Sequence, residues 1–148
     1  MNFIRIAAAF PVAVAVVIVG VSIAHTQFVL AALASIGAPA SLAINLDTTL
    51  FDIVGLAPTL GPVIAIALAI GFMVAAVLKR VLLPLAPLAY PIAGAAAMAT
   101  ALVAMKLAYH TTPLAGARSM VGFLTMCAIG AIGGLVFSRL LPPDEKPS

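Results

Sequence analysis

The chain has very few charged residues for its length. Seven Lys or Arg and four Asp or Glu occur among 148 residues, whereas 65% of the residues are hydrophobic. Soluble domains are about 25% charged, and disordered chains combine low hydrophobicity with high charge, so the composition argues against both classes. We therefore predict an integral membrane protein.

Cysteine and histidine are also scarce. Cys127 is the single cysteine, which excludes an internal disulfide framework and any cysteine-based zinc or iron–sulfur site. The net charge of +3 is small, and the basic residues are scattered along the chain, so we predict no nucleic-acid partner. No common nucleotide-binding, hydrolase or metalloprotease motif is present. We predict no enzymatic activity, no cofactor and no metal site.

The charges are spaced so that four stretches contain none: residues 6–46, 53–78, 81–105 and 119–138. A helix that crosses the ~30 Å hydrocarbon core needs about 20 apolar residues. Barrel strands would alternate polar and apolar residues, and these stretches do not. The pattern predicts an all-α, four-helix transmembrane bundle that forms a single domain over residues 1–140. The predicted spans are about 6–30, 59–78, 91–109 and 113–139.

Capping residues set these boundaries. Thr59 is a plausible N-cap for the second span, with Pro62 tolerated in its first turn. Thr112 and Pro113 form an N-cap and first helical position for the fourth span. Residues 141–148 are predicted to be a disordered cytoplasmic tail.

The segment between the first two spans is not a simple polar loop. Asp47 resembles an N-cap, Leu46 and Phe51 have the spacing of a hydrophobic staple, and Gly55 is a fitting stop. We predict a short interfacial amphipathic helix over about residues 48–54. It would act as a structural cap over the helix ends or as a lid over a lateral or outward-facing cavity.

The distribution of Lys and Arg predicts the orientation. With the N-terminus inside, five basic residues are cytoplasmic and only Lys106 and Arg118 lie outside. We predict a multi-pass protein of a bacterial inner membrane, surrounded by membrane lipids, with both termini cytoplasmic. Residues 1–24 also resemble a signal peptide, although the apolar stretch is longer than usual for one.

Small residues recur at helical spacing. The second span carries Ala67, Gly71 and Ala75, and the fourth carries Gly122, Gly130 and Gly134. Helices in lipid associate through close packing at such positions. The predicted contact is either within the bundle or between two copies.

The predicted topology places six polar residues on the outward side: His25, Asp47, Asp52, Lys106, His110 and Arg118. Lys106 and Arg118 lie six residues before and after Thr112, at equal depth. They could snorkel to the headgroups, pair with the two aspartates, or bind an anion. Axial haem ligation by His25 and His110 is a weaker alternative, because His110 falls in a tight turn.

Two functions are compatible with this pattern. The first is a non-enzymatic structural or accessory subunit, associated with other membrane-protein subunits, which agrees with the scarcity of polar groups. The alternative is a small transporter, channel or lipid- or anion-binding protein that uses the outward-side cluster. A continuous polar path would favour the alternative, and the inner halves of the spans contain none.

Overall fold

The computed structural model describes residues 3–37, 42–81, 87–109 and 115–141. Nearly all of them are helical, and the described residues contain no strand. The elements are α1 (Phe3–Ser35), α2 (Leu42–Val81), α3 (Ala89–Tyr109), a 3₁₀ turn (Ala115–Arg118) and α4 (Met120–Leu140).

Each of the four α-helices contains a stretch that is long and apolar enough to cross a membrane: Ile4–Ser35, Leu60–Val81, Ala89–Ala108 and Met120–Leu140. The structure thus confirms an all-helical chain with four apolar helices of membrane-spanning length. Such helices satisfy their own backbone hydrogen bonds, which lipid cannot do for them.

The helices form a closed ring in which α1 contacts α2, α2 contacts α3, α3 contacts α4 and α4 contacts α1. Neighbours run antiparallel. Phe10 of α1 lies beside Phe72 of α2, whereas Ile18, further along α1, lies close to Gly61. We call the end where α2 and α4 finish the basic end, and the end where α1 and α3 finish the distal end.

The interior is built from regularly spaced residues on each helix. In α1 the buried positions Ala9, Ala13, Val17 and Val21 recur every four residues. This spacing keeps one stripe of the helix against its neighbours. Large apolar side chains are exposed on the remaining faces too, such as Val12, Val19 and Ile23 of α1, which is typical of helices that cross a membrane.

The separate interfacial helix predicted over residues 48–54 is not resolved as an independent element, because those residues belong to the continuous helix α2. Asp47 and Gly55, the predicted N-cap and stop, lie inside α2. Thr59, the predicted cap of the second span, does so as well. A glycine within a helix lowers helix stability by only about 1 kcal/mol relative to alanine. A helix can therefore end at a glycine or continue through it.

The fourth helix begins later than predicted. Ser119 is its N-cap, and the Ser119 Oγ accepts a hydrogen bond from the Gly122 N–H over 3.0 Å. Arg118 therefore precedes α4 instead of lying inside it. The serine satisfies a backbone donor that would otherwise lack a partner at the start of the helix. The predicted cap at Thr112 and Pro113 lies outside the described residues.

Two helix ends are defined by their caps. Gly37 has a φ of +82° and donates its N–H to the Ala34 carbonyl over 3.1 Å, which ends α1. The N–H of Leu141 donates to the Phe137 carbonyl over 3.2 Å as α4 ends. Only Leu141 of the predicted disordered tail is described, and residues 142–148 lie outside the description.

Candidate functional site

Four of the predicted outward-side residues are described with their side chains, and all lie towards the distal end. Asp47 is exposed in α2, and Lys106 is exposed in the last turn of α3. Arg118 is exposed at the end of the 3₁₀ turn, which packs against α1. His25 is half-buried in α1.

The other two members of that cluster are less fully described. Asp52 belongs to α2, but its side chain lies outside the description, and so does the whole of His110. The suggested ion-pair network and the axial haem pair thus remain predictions. The described residues contain no group of three or more His, Cys, Asp or Glu residues that could hold a metal ion.

A small polar region inside the bundle accompanies His25. Ser22 and Thr26 are fully buried, and the Thr26 hydroxyl donates to the Ser22 carbonyl over 3.0 Å. The Nδ1 atom of His25 is shielded from solvent and has no hydrogen-bond partner among the described residues. Our sequence reasoning did not single out Ser22 and Thr26. Ser22 directly follows Val21 of the buried stripe, and Thr26 lies one turn beyond Ser22, so helical periodicity could have marked both as buried.

The glycines of α4 make backbone contacts with α3. A Cβ added to Gly130 would overlap the Gly94 carbonyl, and one added to Gly134 would overlap the Tyr90 carbonyl. Both glycines thus serve a contact within this chain. Gly122 is buried in the first turn of the same helix.

A second glycine contact joins α4 to α1, and the sequence analysis missed it. A Cβ on Gly133 would overlap the Val17 side chain, and one on Gly20 would lie 2.8 Å from Cγ2 of Ile129. Gly133 lies next to Gly134 in sequence, about 100° around the helix, so α4 uses adjacent glycines to approach two different neighbours.

Four aromatic rings, one from each helix, meet near the basic end. Phe72 of α2 contacts Phe10, Tyr90 and Phe137, with ring centroids 6.3, 5.9 and 4.4 Å away. Tyr90 also meets Phe137 edge to face, with centroids 5.1 Å apart. Edge-to-face and offset-stacked pairs add stabilisation beyond burial. This aromatic cluster therefore ties all four helices together at one level.

The small residues predicted in the second span, Ala67, Gly71 and Ala75, lie between α2 and α3. The two helices leave a groove of about 450 Å³ there. A Cβ added to Gly71 would lie 3.1 Å from the Ala93 carbonyl oxygen and 3.1 Å from the Cβ of Ala97. The helices therefore touch at the groove floor and separate above it. We call this feature the α2–α3 groove.

The α2–α3 groove is apolar almost throughout. Its rims carry the exposed side chains of Ile70, Val74 and Ile92. Among the described residues that line it, Lys79 and Thr100 are the ones with polar side chains. The Thr100 hydroxyl already donates to the Ala96 carbonyl over 2.8 Å. Lys79 is therefore the main polar feature of the groove.

Lys79 lies at the basic end, in the last turn of α2. Its ammonium nitrogen lies over the Tyr90 ring, 5.5 Å from the centroid, in the range of a cation–π contact. The exposed residues Arg5, Arg80 and Arg139 belong to the same end, in the first turn of α1 and the last turns of α2 and α4. Among the residues described at this end, none is acidic.

A comparison of the chain with protein-family models, with curated proteins and with solved structures finds no match. The features from which a function can be inferred are thus the distal end, the α2–α3 groove and the basic end.

Proposed function

We propose that this chain is a non-enzymatic integral membrane protein that serves as a structural or accessory subunit of a larger membrane complex. The observation that supports this proposal is an uncovered apolar surface on the N-terminal part of α2. Leu50, Phe51 and Val54 are 62%, 78% and 75% exposed there. We call these three residues the α2 apolar patch.

The length of α2 leaves a long segment before its membrane-spanning stretch. The helix has 40 residues, which at 1.5 Å per residue is about 60 Å, or twice the ~30 Å hydrocarbon core. Its membrane-spanning stretch is Leu60–Val81, so residues 42–59 precede the span. The apolar patch lies in this extension.

The three residues of the patch lie close together on the surface of the extension. Leu50 and Val54 are four residues apart and project on the same face, with Phe51 beside them. Thr48 and Thr49 are half-buried on the other side. Exposed apolar surface that is contiguous marks a site of interaction with protein or membrane. A helix of a partner subunit would bury all three side chains.

We further propose that this extension lies at the membrane interface. Pro58 and Pro62, just before the span, both lie inside α2. Proline lacks the N–H that would donate to the residue four positions earlier, so this region is where α2 can bend most easily. A bend there would lay residues 42–57 along the membrane surface.

A site-specific cross-linking experiment tests the subunit proposal. A photoreactive amino acid replaces Phe51 in the patch, and a control carries it at Met73, which is 69% exposed on the spanning part of α2. We expect a discrete protein adduct from position 51 in native membranes, none from position 73, and loss of the adduct on Leu50→Asp. A chain that forms no protein adduct at position 51 and purifies alone in mild detergent would contradict the proposal.

We also propose that both termini are cytoplasmic, in the inner membrane of a bacterium. The support is the excess of basic residues at one end of the bundle. In a Cys127→Ser background, Ser35→Cys at the distal end should react with a membrane-impermeant maleimide in intact cells with a permeabilised outer membrane. Leu140→Cys should react only after lysis. The reverse pattern would show the opposite orientation.

A further inference from the structure

We propose that the α2–α3 groove binds one acyl chain of an anionic phospholipid, whose phosphate group contacts Lys79. This site is separate from the α2 apolar patch, which lies at the other end of the helix. Lipid binding in the groove is therefore a property beyond the role of an accessory subunit.

The dimensions of the groove fit one lipid chain. Along α2 it extends from Ala67 to Lys79, twelve residues that span about 18 Å at 1.5 Å per residue. One leaflet contributes about half of the ~30 Å hydrocarbon core. The groove thus has about the length of a chain that starts at the headgroup level and ends near the bilayer centre.

The composition of the groove also favours an acyl chain. Gly71 and Ala75 of α2 and Ala93 and Ala97 of α3 form a floor without long side chains. An unfilled apolar space forfeits dispersion contacts along its whole lining. In a bilayer the groups at hand to fill it are acyl chains, and a chain seated there gains contacts with both helices.

Charge complementarity selects the headgroup. Lys79 lines the groove, and its contact with the Tyr90 ring restrains the ammonium group at the groove's basic end. Arg80 follows it in sequence, and no acidic residue is described at this end. A phospholipid with net negative charge matches this surface, whereas a zwitterionic one carries a cation that Lys79 repels.

A transmembrane helix of another protein is the competing occupant. A helix that crosses the whole membrane would pack along both leaflets. The groove covers only part of the span, since its lining residues furthest from Lys79 are Ala67 and Thr100. Among the described lining residues, Lys79 at one end is the basic one. A cation in this position can bind a lipid phosphate, whereas an apolar helix would gain nothing from it.

The test measures lipid retention by native mass spectrometry of the full chain in detergent. Phosphatidylglycerol and phosphatidylcholine with identical acyl chains are added in equal amounts. We expect one phosphatidylglycerol per chain, retained about fivefold more strongly than phosphatidylcholine, since one basic residue near a membrane surface contributes about a fivefold preference for anionic lipid.

Paired variants separate the headgroup contact from the groove itself. Lys79→Gln should abolish the preference for phosphatidylglycerol, and Lys79→Arg should keep it. Ala96→Leu places a larger side chain at an exposed position on the groove lining and should reduce the retention of both lipids. The matched controls are Arg5→Gln, an exposed basic residue at the basic end that does not line the groove, and Ala104→Leu at an exposed position of α3 outside the groove. Both should behave as the parent.

Three outcomes would overturn the proposal. The first is equal retention of the two lipids by the parent chain. The second is unchanged phosphatidylglycerol retention in both Lys79→Gln and Ala96→Leu. The third is a protein adduct, in place of a lipid adduct, when a photoreactive amino acid replaces Ala96 in native membranes.

Discussion

Phe72 of α2 stacks on Phe137 of α4, with ring centroids 4.4 Å apart and ring planes inclined by 14°. The two helices are not neighbours in the ring of four, so this contact crosses the interior of the bundle. Phe10 and Tyr90 bring the other two helices to the same place. The aromatic cluster thus brings all four helices into contact at one place, whereas the glycine contacts each join two neighbouring helices.

The first prediction concerns the centre of this cluster. Phe72→Ala removes three aromatic contacts and leaves a cavity at a buried position, so we expect the free energy of unfolding to fall by about 3–5 kcal/mol. Thermal unfolding in detergent measures the change. Met73→Ala is the control, because Met73 is 69% exposed and should have little effect. Equal melting temperatures for the two variants would show that the cluster does not stabilise the bundle.

The second prediction compares two glycines. Gly134→Ala places a Cβ against the Tyr90 carbonyl and must push α3 and α4 apart. Gly55→Ala meets no heavy atom within 4 Å and improves helix propensity by about 1 kcal/mol. We expect a lower melting temperature for Gly134→Ala and an unchanged or higher one for Gly55→Ala. A Gly134→Ala chain that melts like the parent would refute the close contact between α3 and α4.

The third prediction concerns the start of α4. Ser119→Ala removes the acceptor of the Gly122 N–H, which should cost about 1 kcal/mol of stability. Ser119→Asp retains an N-cap acceptor and should restore most of it. Ser138→Ala serves as a control, since the Ser138 hydroxyl only donates to the Leu135 carbonyl within its own helix. If Ser119→Ala melts like the parent, the helix starts elsewhere.

The fourth prediction concerns the charges at the distal end. If Asp52 pairs with Arg118, Asp52→Lys should lower the melting temperature, and adding Arg118→Asp should restore part of the loss. An ion pair at a protein surface is worth about 1 kcal/mol or less. The control is Arg5→Asp at the basic end, which should give no rescue. If no charge reversal of a basic residue at the distal end restores the melting temperature of Asp52→Lys, the ion-pair network is excluded.

Helix number and membrane class could be read from the sequence because the charges are so few. Four long stretches without charge must each bury their backbone polar groups in helical hydrogen bonds when they enter lipid. The bounds of α3 show how closely a span can be predicted in this way. The sequence predicts residues 91–109, and the structure has Ala89–Tyr109. Lipid thickness and the charged flanks constrain such a segment strongly.

Local signals were less reliable where they compete with one another. Asp47, Gly55 and Thr59 each resemble a helix boundary in sequence, yet all three lie within α2. Thr112 and Ser119 are both suitable N-caps, and α4 begins after Ser119. A capping residue contributes only about 1 kcal/mol, so the packing of the whole helix decides between such candidates.

The sequence by itself determined that this chain is a set of apolar helices, and it marked the positions where small residues allow close approach. Only the tertiary structure decided which neighbour each set of small residues contacts. Gly130 and Gly134 meet the α3 backbone, whereas Ala67, Gly71 and Ala75 line an open groove. The physical reason is that helices apolar on every face carry little amphipathic signal of which side turns inward. Each helix's rotation about its axis, and thus the aromatic cluster and the groove, follows from the fit of all four helices at once.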